Sequence, residues 1–231
     1  MQQKTIAVLG MGDATVVEDN MPPPGPLVLP SVDAQVFAVP NAVFPATMAD
    51  REICEEAYFE AGLKAAAAGA DALYINTVGD YGYAMLGDAV SIPVGGAGCG
   101  AFLSALATAE HFAVVTLWPP AMRFIYDAVL TEMNLQEYCD DIVHLTDDTL
   151  LSVEDGPNTA MAEMQSCAVT TVDEVANAIL SLQTRYLGTQ VILGCTCMYP
   201  LADSLQARGI SVLEPMSAGF RHLANQTLAL N

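Results

Sequence analysis

TQVILGCTCMYP, residues 189–200, decides how this chain folds. A short apolar run, Val191–Leu193, ends at Gly194. Two cysteines follow, one residue apart, and a helical stretch starts near Pro200. The first half of the chain repeats the layout in DALYINTVGDYG, residues 71–82. There the run Ala72–Ile75 meets a polar, glycine-rich cluster and then a helix. Neither run alternates apolar with polar, as expected of parallel strands buried on both faces.

Working outward, similar runs recur at Thr5–Leu9, Phe112–Leu117, Ile142–Leu145 and Ile210–Leu213, and SIPV (91–94) reads as one more strand. Helical stretches lie between them: Ala49–Ala68, Ala97–Ala109, Ala121–Met133, Val172–Tyr186, Pro200–Arg208 and Ala218–Leu228. The first carries a Thr47-x-x-Asp50 capping signal and stops at Gly69. Strand–helix alternation along the whole chain predicts an α/β fold with mainly parallel sheets. The repeated layout predicts two pseudo-symmetric lobes, each a short parallel sheet flanked by helices. Residues 1–100 plus 214–231 are expected to form the N-terminal lobe and 101–213 the C-terminal lobe. Ligands of open parallel sheets sit beyond the carboxyl ends of the strands. Two such lobes facing each other would make Thr77 and Cys195 the two walls of one cleft.

Composition excludes several function classes. The 231 residues suffice for a sizeable core. Seven basic residues face 27 acidic ones, for a net charge of −20. Such a surface argues against nucleic acid and against an anionic membrane as partners. No apolar stretch has the length of a membrane helix, and MQQKTIAVLG lacks the apolar run of a signal peptide, so a cytoplasmic location is expected. Six scattered cysteines without a C-x-x-C suggest neither a disulfide framework nor a zinc site. The Pro-rich patch NMPPPGPLVLP, residues 20–30, reads as a loop near a sheet edge.

Four glycine-rich turns could carry chemistry. LGMGDAT (9–15) lacks the third glycine of a dinucleotide loop and reads as a tight turn, its amides around Gly12, Asp13 and Thr15 facing a ligand. NTVGDYG (76–82) offers Asn76, Thr77, Val78 and Gly79, whose amides could hold a carboxylate or enolate. GGAGCGA (95–101) places Cys99 at a helix start, where a thiol pKa can fall. GCTCMYP (194–200) places Cys195 just past a strand, with Thr196 and Cys197 in the turn. Backbone amides and a helix dipole there favour a thiolate, although cysteine is also a common core residue.

GADALYINTVGDYG, SIPVGGAGCGAFLSA and VILGCTCMYPLADSLQARGISVLEP together resemble the halves of hydantoin racemases, and GCTCMYPL is similar to a block of glutamate and aspartate racemases. The chain thus resembles the aspartate/glutamate/hydantoin racemase superfamily. The resemblance implies two α/β lobes with the site between them, no cofactor and a homo-oligomer. It also implies two cysteines that exchange a proton on opposite faces of a substrate's α-carbon. A thiol, with a reference pKa of roughly 8.5, suits both roles near neutral pH.

Here the first of those cysteines falls on Thr77 and the second on Cys195. An aliphatic hydroxyl is a poor base without activation. Three readings follow. The protein is a racemase of an amino acid or hydantoin, with Cys195 as acid/base and Thr77 at the second pole. Or it resembles arylmalonate decarboxylases, which use one cysteine to protonate one face of an enediolate. Or it is a small-molecule binding relative that has lost a pole. Cys197 is expected to line the pocket, at a place where glutamate racemases often carry His. Cys99 is a less direct candidate for a second thiol. The basic residues past Lys4 are expected mostly on helices away from the strand ends, which points to a neutral or singly charged substrate.

Overall fold

The computed structural model describes residues 3–10, 19, 21–152, 162–164 and 166–230. Its strands form two parallel sheets. The first holds β1 (Lys4–Leu9), β2 (Val32–Phe37), β3 (Ala72–Ile75) and β4 (Val94–Gly96) in the order β2-β1-β3-β4. The second holds β5 (Phe112–Thr116), β6 (Cys139–His144) and β7 (Gln190–Leu193) in the order β6-β5-β7. The helices are α1 (Met48–Ala67), α2 (Tyr83–Ala89), α3 (Ala97–Leu106), α4 (Phe124–Glu132), α5 (Val172–Arg185), α6 (Tyr199–Ala207) and α7 (Pro215–Ala229).

The pseudo-symmetry is visible in the pairing. β3 flanks the central strand β1 as β7 flanks β5. β4 borders β3, and on the matching side of β7 a single bridge joins Ile192 to Leu213. The run Ile210–Leu213, expected as a strand, is therefore reduced to one bridge, because the chain turns into α7 directly after it. β2 was not foreseen. As an edge strand it buries Val32 and Val36 and leaves Asp33 exposed, a half-buried pattern rather than a continuous apolar run. The Pro-rich patch leads into it.

Local signals set the helix ends. Thr47 and Asp50 form a reciprocal capping box at the start of α1. Gly69 follows with φ 94°, a conformation other residues adopt only under strain. Thr171 and Glu174 cap α5 in the same way.

One core joins the lobes. Ile6, Val8 and Tyr74 of the first sheet share it with Val114 and Ile192 of the second, with α3, α4 and α7 packed between. Phe102 of α3 stacks on Phe112 of β5 at 4.9 Å. α3 and α7 approach backbone to backbone: a Cβ on Gly100 would lie 2.6 Å from Gly219 Cα. A lobe boundary after residue 100 cuts through α3, which packs on α7 and both sheets. Separate apolar layers cover the outer faces of the two sheets. Among the described residues no helix is long and apolar enough to cross a membrane.

Candidate active site

Thr77 and Cys195 occupy equivalent places. Each lies two residues past its strand, β3 or β7, and each strand sits beside the centre of its sheet. Both belong to the carboxyl edge, where a parallel sheet presents its ligand-binding loops.

The Cys195 wall is built from β5, β7 and α4. Gly194 donates its amide to Val115 O at 2.7 Å, which extends the sheet by one residue. The Tyr126 hydroxyl donates to Gly194 O at 2.6 Å and pairs with Thr116 Oγ1 at 2.5 Å. Position 194 must be glycine, since a Cβ there would stand 2.5 Å from Thr116 Cβ and 2.9 Å from Tyr126 Oη. Cys195 then caps a single 3-10 turn, Thr196–Met198, and its Sγ accepts from the Cys197 amide at 3.2 Å. An N–H aimed at a sulfur stabilises negative charge there.

The structure also corrects the reading of Cys197. The sequence suggested no disulfide, yet Cys195 and Cys197 are bonded to each other. The 3-10 turn brings their Cα atoms to 5.1 Å, within the range a disulfide spans. Cys197 is thus tied covalently to Cys195. The two are 8% and 7% exposed, and Phe44 of the first lobe joins them in the outer apolar layer of the second sheet. Phe44 also packs on Trp118 at 5.7 Å between ring centroids. Cys167 Sγ donates to Cys197 O at 3.5 Å.

The Thr77 wall is a tight turn. Gly79 donates its amide to Thr77 Oγ1 at 3.3 Å, and the Asp80 amide donates to Thr77 O at 3.2 Å. Arg51 Nη1 donates to Gly79 O at 2.9 Å. The Arg51 guanidinium also pairs with Glu55 at 3.0 Å and lies over the Tyr81 ring, 5.1 Å from its centroid. On the other side the Asp80 carboxylate accepts from the Gly98 and Cys99 amides of α3 at 3.0 and 2.5 Å. Burial pushes the Asp80 carboxyl up to about 7, against the pull of those two amides. Just before Thr77, Asn76 is 1% exposed, and neither its Oδ1 nor its Nδ2 has a hydrogen-bond partner. A buried carboxamide with both ends open can take a ligand that offers a donor and an acceptor.

The expected residues fare differently. Gly12, Asp13 and Thr15 lie outside the described residues. Val78 and Thr196 are buried beside their poles. Gly79 and Cys197 do not offer free amides, because theirs already serve Thr77 and Cys195. The expected lowering at Cys99 is reversed: burial, and then the Asp80 charge, push its thiol well up. Cys99 sits in the shared core, its Sγ 3.7 Å from Gly96 O.

Three residues near the site were missed. Arg51 stands in the first turn of a helix that follows a strand, and so at the carboxyl edge; that position was a readable signal. Asp80 and Tyr126 gave none, since only the tertiary fold buries them.

The family model described as Asp/Glu/Hydantoin racemase matches residues 29–223, and the chain belongs to this family. No curated protein matches the sequence. The fold is similar to that of allantoin racemase from Klebsiella pneumoniae, at TM-score 0.72 and 18% identity, covering 99% of this chain and 89% of that one. Allantoin racemase from Pseudomonas fluorescens gives TM-score 0.74 at 15% identity, with 99% and 92% covered. Arylmalonate decarboxylase gives 0.61 at 13%, with 96% and 92% covered. At these identities the likeness is one of fold.

Proposed function

We propose that the protein is a cofactor-independent racemase-type isomerase that moves a proton at an activated carbon of an amino acid or hydantoin, with Cys195 as acid/base. The observation that carries this reading is the placing of Cys195. It follows the β7 edge, its sulfur receives the Cys197 amide, and the Tyr126–Gly194 hydrogen bond fixes its approach. The working form is the dithiol. Two electrons and two protons from a thiol reductant open the Cys195–Cys197 bond and return a thiol to each residue. A Cys195 thiolate then removes the proton, the enolate carbon takes one back on its other face from Thr77 or a water bound to it, and the proton held by Cys195 passes to solvent. The unpartnered Asn76 carboxamide supplies both a donor and an acceptor for the substrate's polar edge.

A second reading rests on Thr77. Its hydroxyl accepts from an amide, and that contact supplies no base to activate it. A single-thiol reaction, in which a carboxylate leaves as carbon dioxide and Cys195 protonates one face, needs no more than this. Proton NMR in deuterium oxide separates the two, with the reduced protein and a panel of amino acids, 5-substituted hydantoins and 2-substituted malonates. Loss of an α-proton signal without loss of the compound supports the racemase. Conversion of a malonate to a singly deuterated acid supports the decarboxylase. Binding without either change, read as a ligand-induced rise in melting temperature, leaves a binding protein.

A further inference from the structure

We infer that Asp80 is a positioning residue for the first wall of the site: its buried carboxylate fixes the Thr77–Gly79 turn against the first turn of α3. The effect expected on turnover rests on the proton-transfer reading above; the structural part does not.

Three observations carry it. First, the carboxylate spans two elements. Asp80 closes the turn through its own amide to Thr77 O, while each of its two oxygens takes one amide of α3. Second, the opposing surface is shaped for it. A Cβ on Gly96 would lie 2.0 Å from Asp80 Oδ1, and one on Gly98 would lie 2.3 Å from Val78 O and 2.8 Å from Asp80 Oδ2. The glycines of GGAGCGA, read from the sequence as a turn opening a helix, thus make room for a carboxylate from the same chain. Third, the backbone is bent to deliver it. Asp80 has φ 45°, in the left-handed region, and Gly82 follows at φ 75°. Arg51 grips the Gly79 carbonyl from the opposite side, so the turn is held at both shoulders.

Asp80 thus fills the anion-binding end of α3 with a fixed internal charge. Cys99, Tyr74, Tyr83 and Glu132 face the carboxylate from the surrounding elements, and Glu214 lies beyond Tyr74. Burial first and the Glu132 charge second disfavour the ionised form, while the Cys99 side chain and the two α3 amides favour it. Protonation removes the charge that both α3 amides point at, so the turn is held less tightly there even though the cost of burying a charge is relieved.

The test uses the reduced full-length protein. In an NMR titration from pH 5 to 9, the Gly98 and Cys99 amides and the Thr77 γ-methyl group are expected to shift with one shared midpoint near 7. Asp80→Asn should abolish that step in all three. With a substrate found in the deuterium-exchange panel, Asp80→Asn should lower kcat at least tenfold with KM within threefold. The acid-side fall of the wild-type rate near pH 7 should vanish in the variant. The proposal is overturned if the α3 amides titrate while the Thr77 methyl stays still, since Asp80 would then only cap the helix. A variant with wild-type kcat overturns it too. If no compound in the panel exchanges, the proton-transfer reading fails, and the wild-type titration still decides the role of Asp80.

Discussion

Replacing Tyr126 by Phe removes one oxygen from the floor beneath Cys195. In the wild type that oxygen donates to Gly194 O and pairs with Thr116 Oγ1, and all three residues are buried. The ring stays and the packing is kept, so the loss is one of hydrogen bonding. A buried polar group left unpaired costs about 1–3 kcal/mol. Thr116 Oγ1 keeps the Trp118 amide at 3.1 Å, so the main orphan is the Gly194 carbonyl. The expected destabilisation is about 2–3 kcal/mol, which for a chain of this size lowers the melting temperature by roughly 4–12 °C. Because Gly194 precedes Cys195, deuterium exchange should slow as well, by about tenfold or more. Urea denaturation followed by circular dichroism measures the first quantity, and NMR exchange under reducing conditions the second. A stability change below about 0.5 kcal/mol together with an unchanged exchange rate would refute the view that this hydroxyl holds the Cys195 turn.

Further outcomes follow from the same geometry. Turnover should require a thiol reductant: diamide treatment should abolish it and dithiothreitol restore it, while Cys195→Ser should be inactive under both conditions. Full activity of the oxidised protein would exclude Cys195 from the chemistry. Thr77→Cys should raise racemisation if two groups work across one carbon; an unchanged rate would mean that the first pole lies elsewhere. Stability should depend on pH through Asp80, whose carboxyl rises from 3.8 unfolded to about 7 folded. Between those values the folded chain holds a proton that the unfolded chain has lost. This group's contribution is therefore fully present below pH 4 and is lost as pH climbs to about 7, by a few kcal/mol at most. Denaturant midpoints for wild type and Asp80→Asn should converge at low pH and separate at high pH; parallel curves would contradict the assignment.

Much of the fold could be read because its signals are local. Buried parallel strands print as apolar runs, and Thr47–Asp50 and Gly69 mark both ends of α1 within a few residues. β2 escaped because an edge strand mixes exposed and buried positions, and Ile210–Leu213 looked like a strand because apolar runs do not show whether a partner is available. At the site, the positions of Thr77 and Cys195 followed from strand ends. The disulfide did not, since C-x-C pairing depends on the tightness of one 3-10 turn. Asp80 was hidden for a related reason: DYGY reads as part of an ordinary strand-to-helix turn, and only α3, seventeen residues on, turns it into a buried anchor. The glycines at 96 and 98 read as a turn that opens a helix around Cys99, and nothing in the sequence shows that they make room for a carboxylate.

The contact between Gly100 and Gly219 has a consequence for how this architecture tolerates change. α3 follows the first sheet and α7 follows the second, so their crossing sets how closely the elements leaving the two sheets approach each other. A methyl group added there would push the two helices apart. On the proton-transfer reading proposed above, a reaction shared by Thr77 and Cys195 should respond to such a change, whereas one carried by Cys195 alone should not.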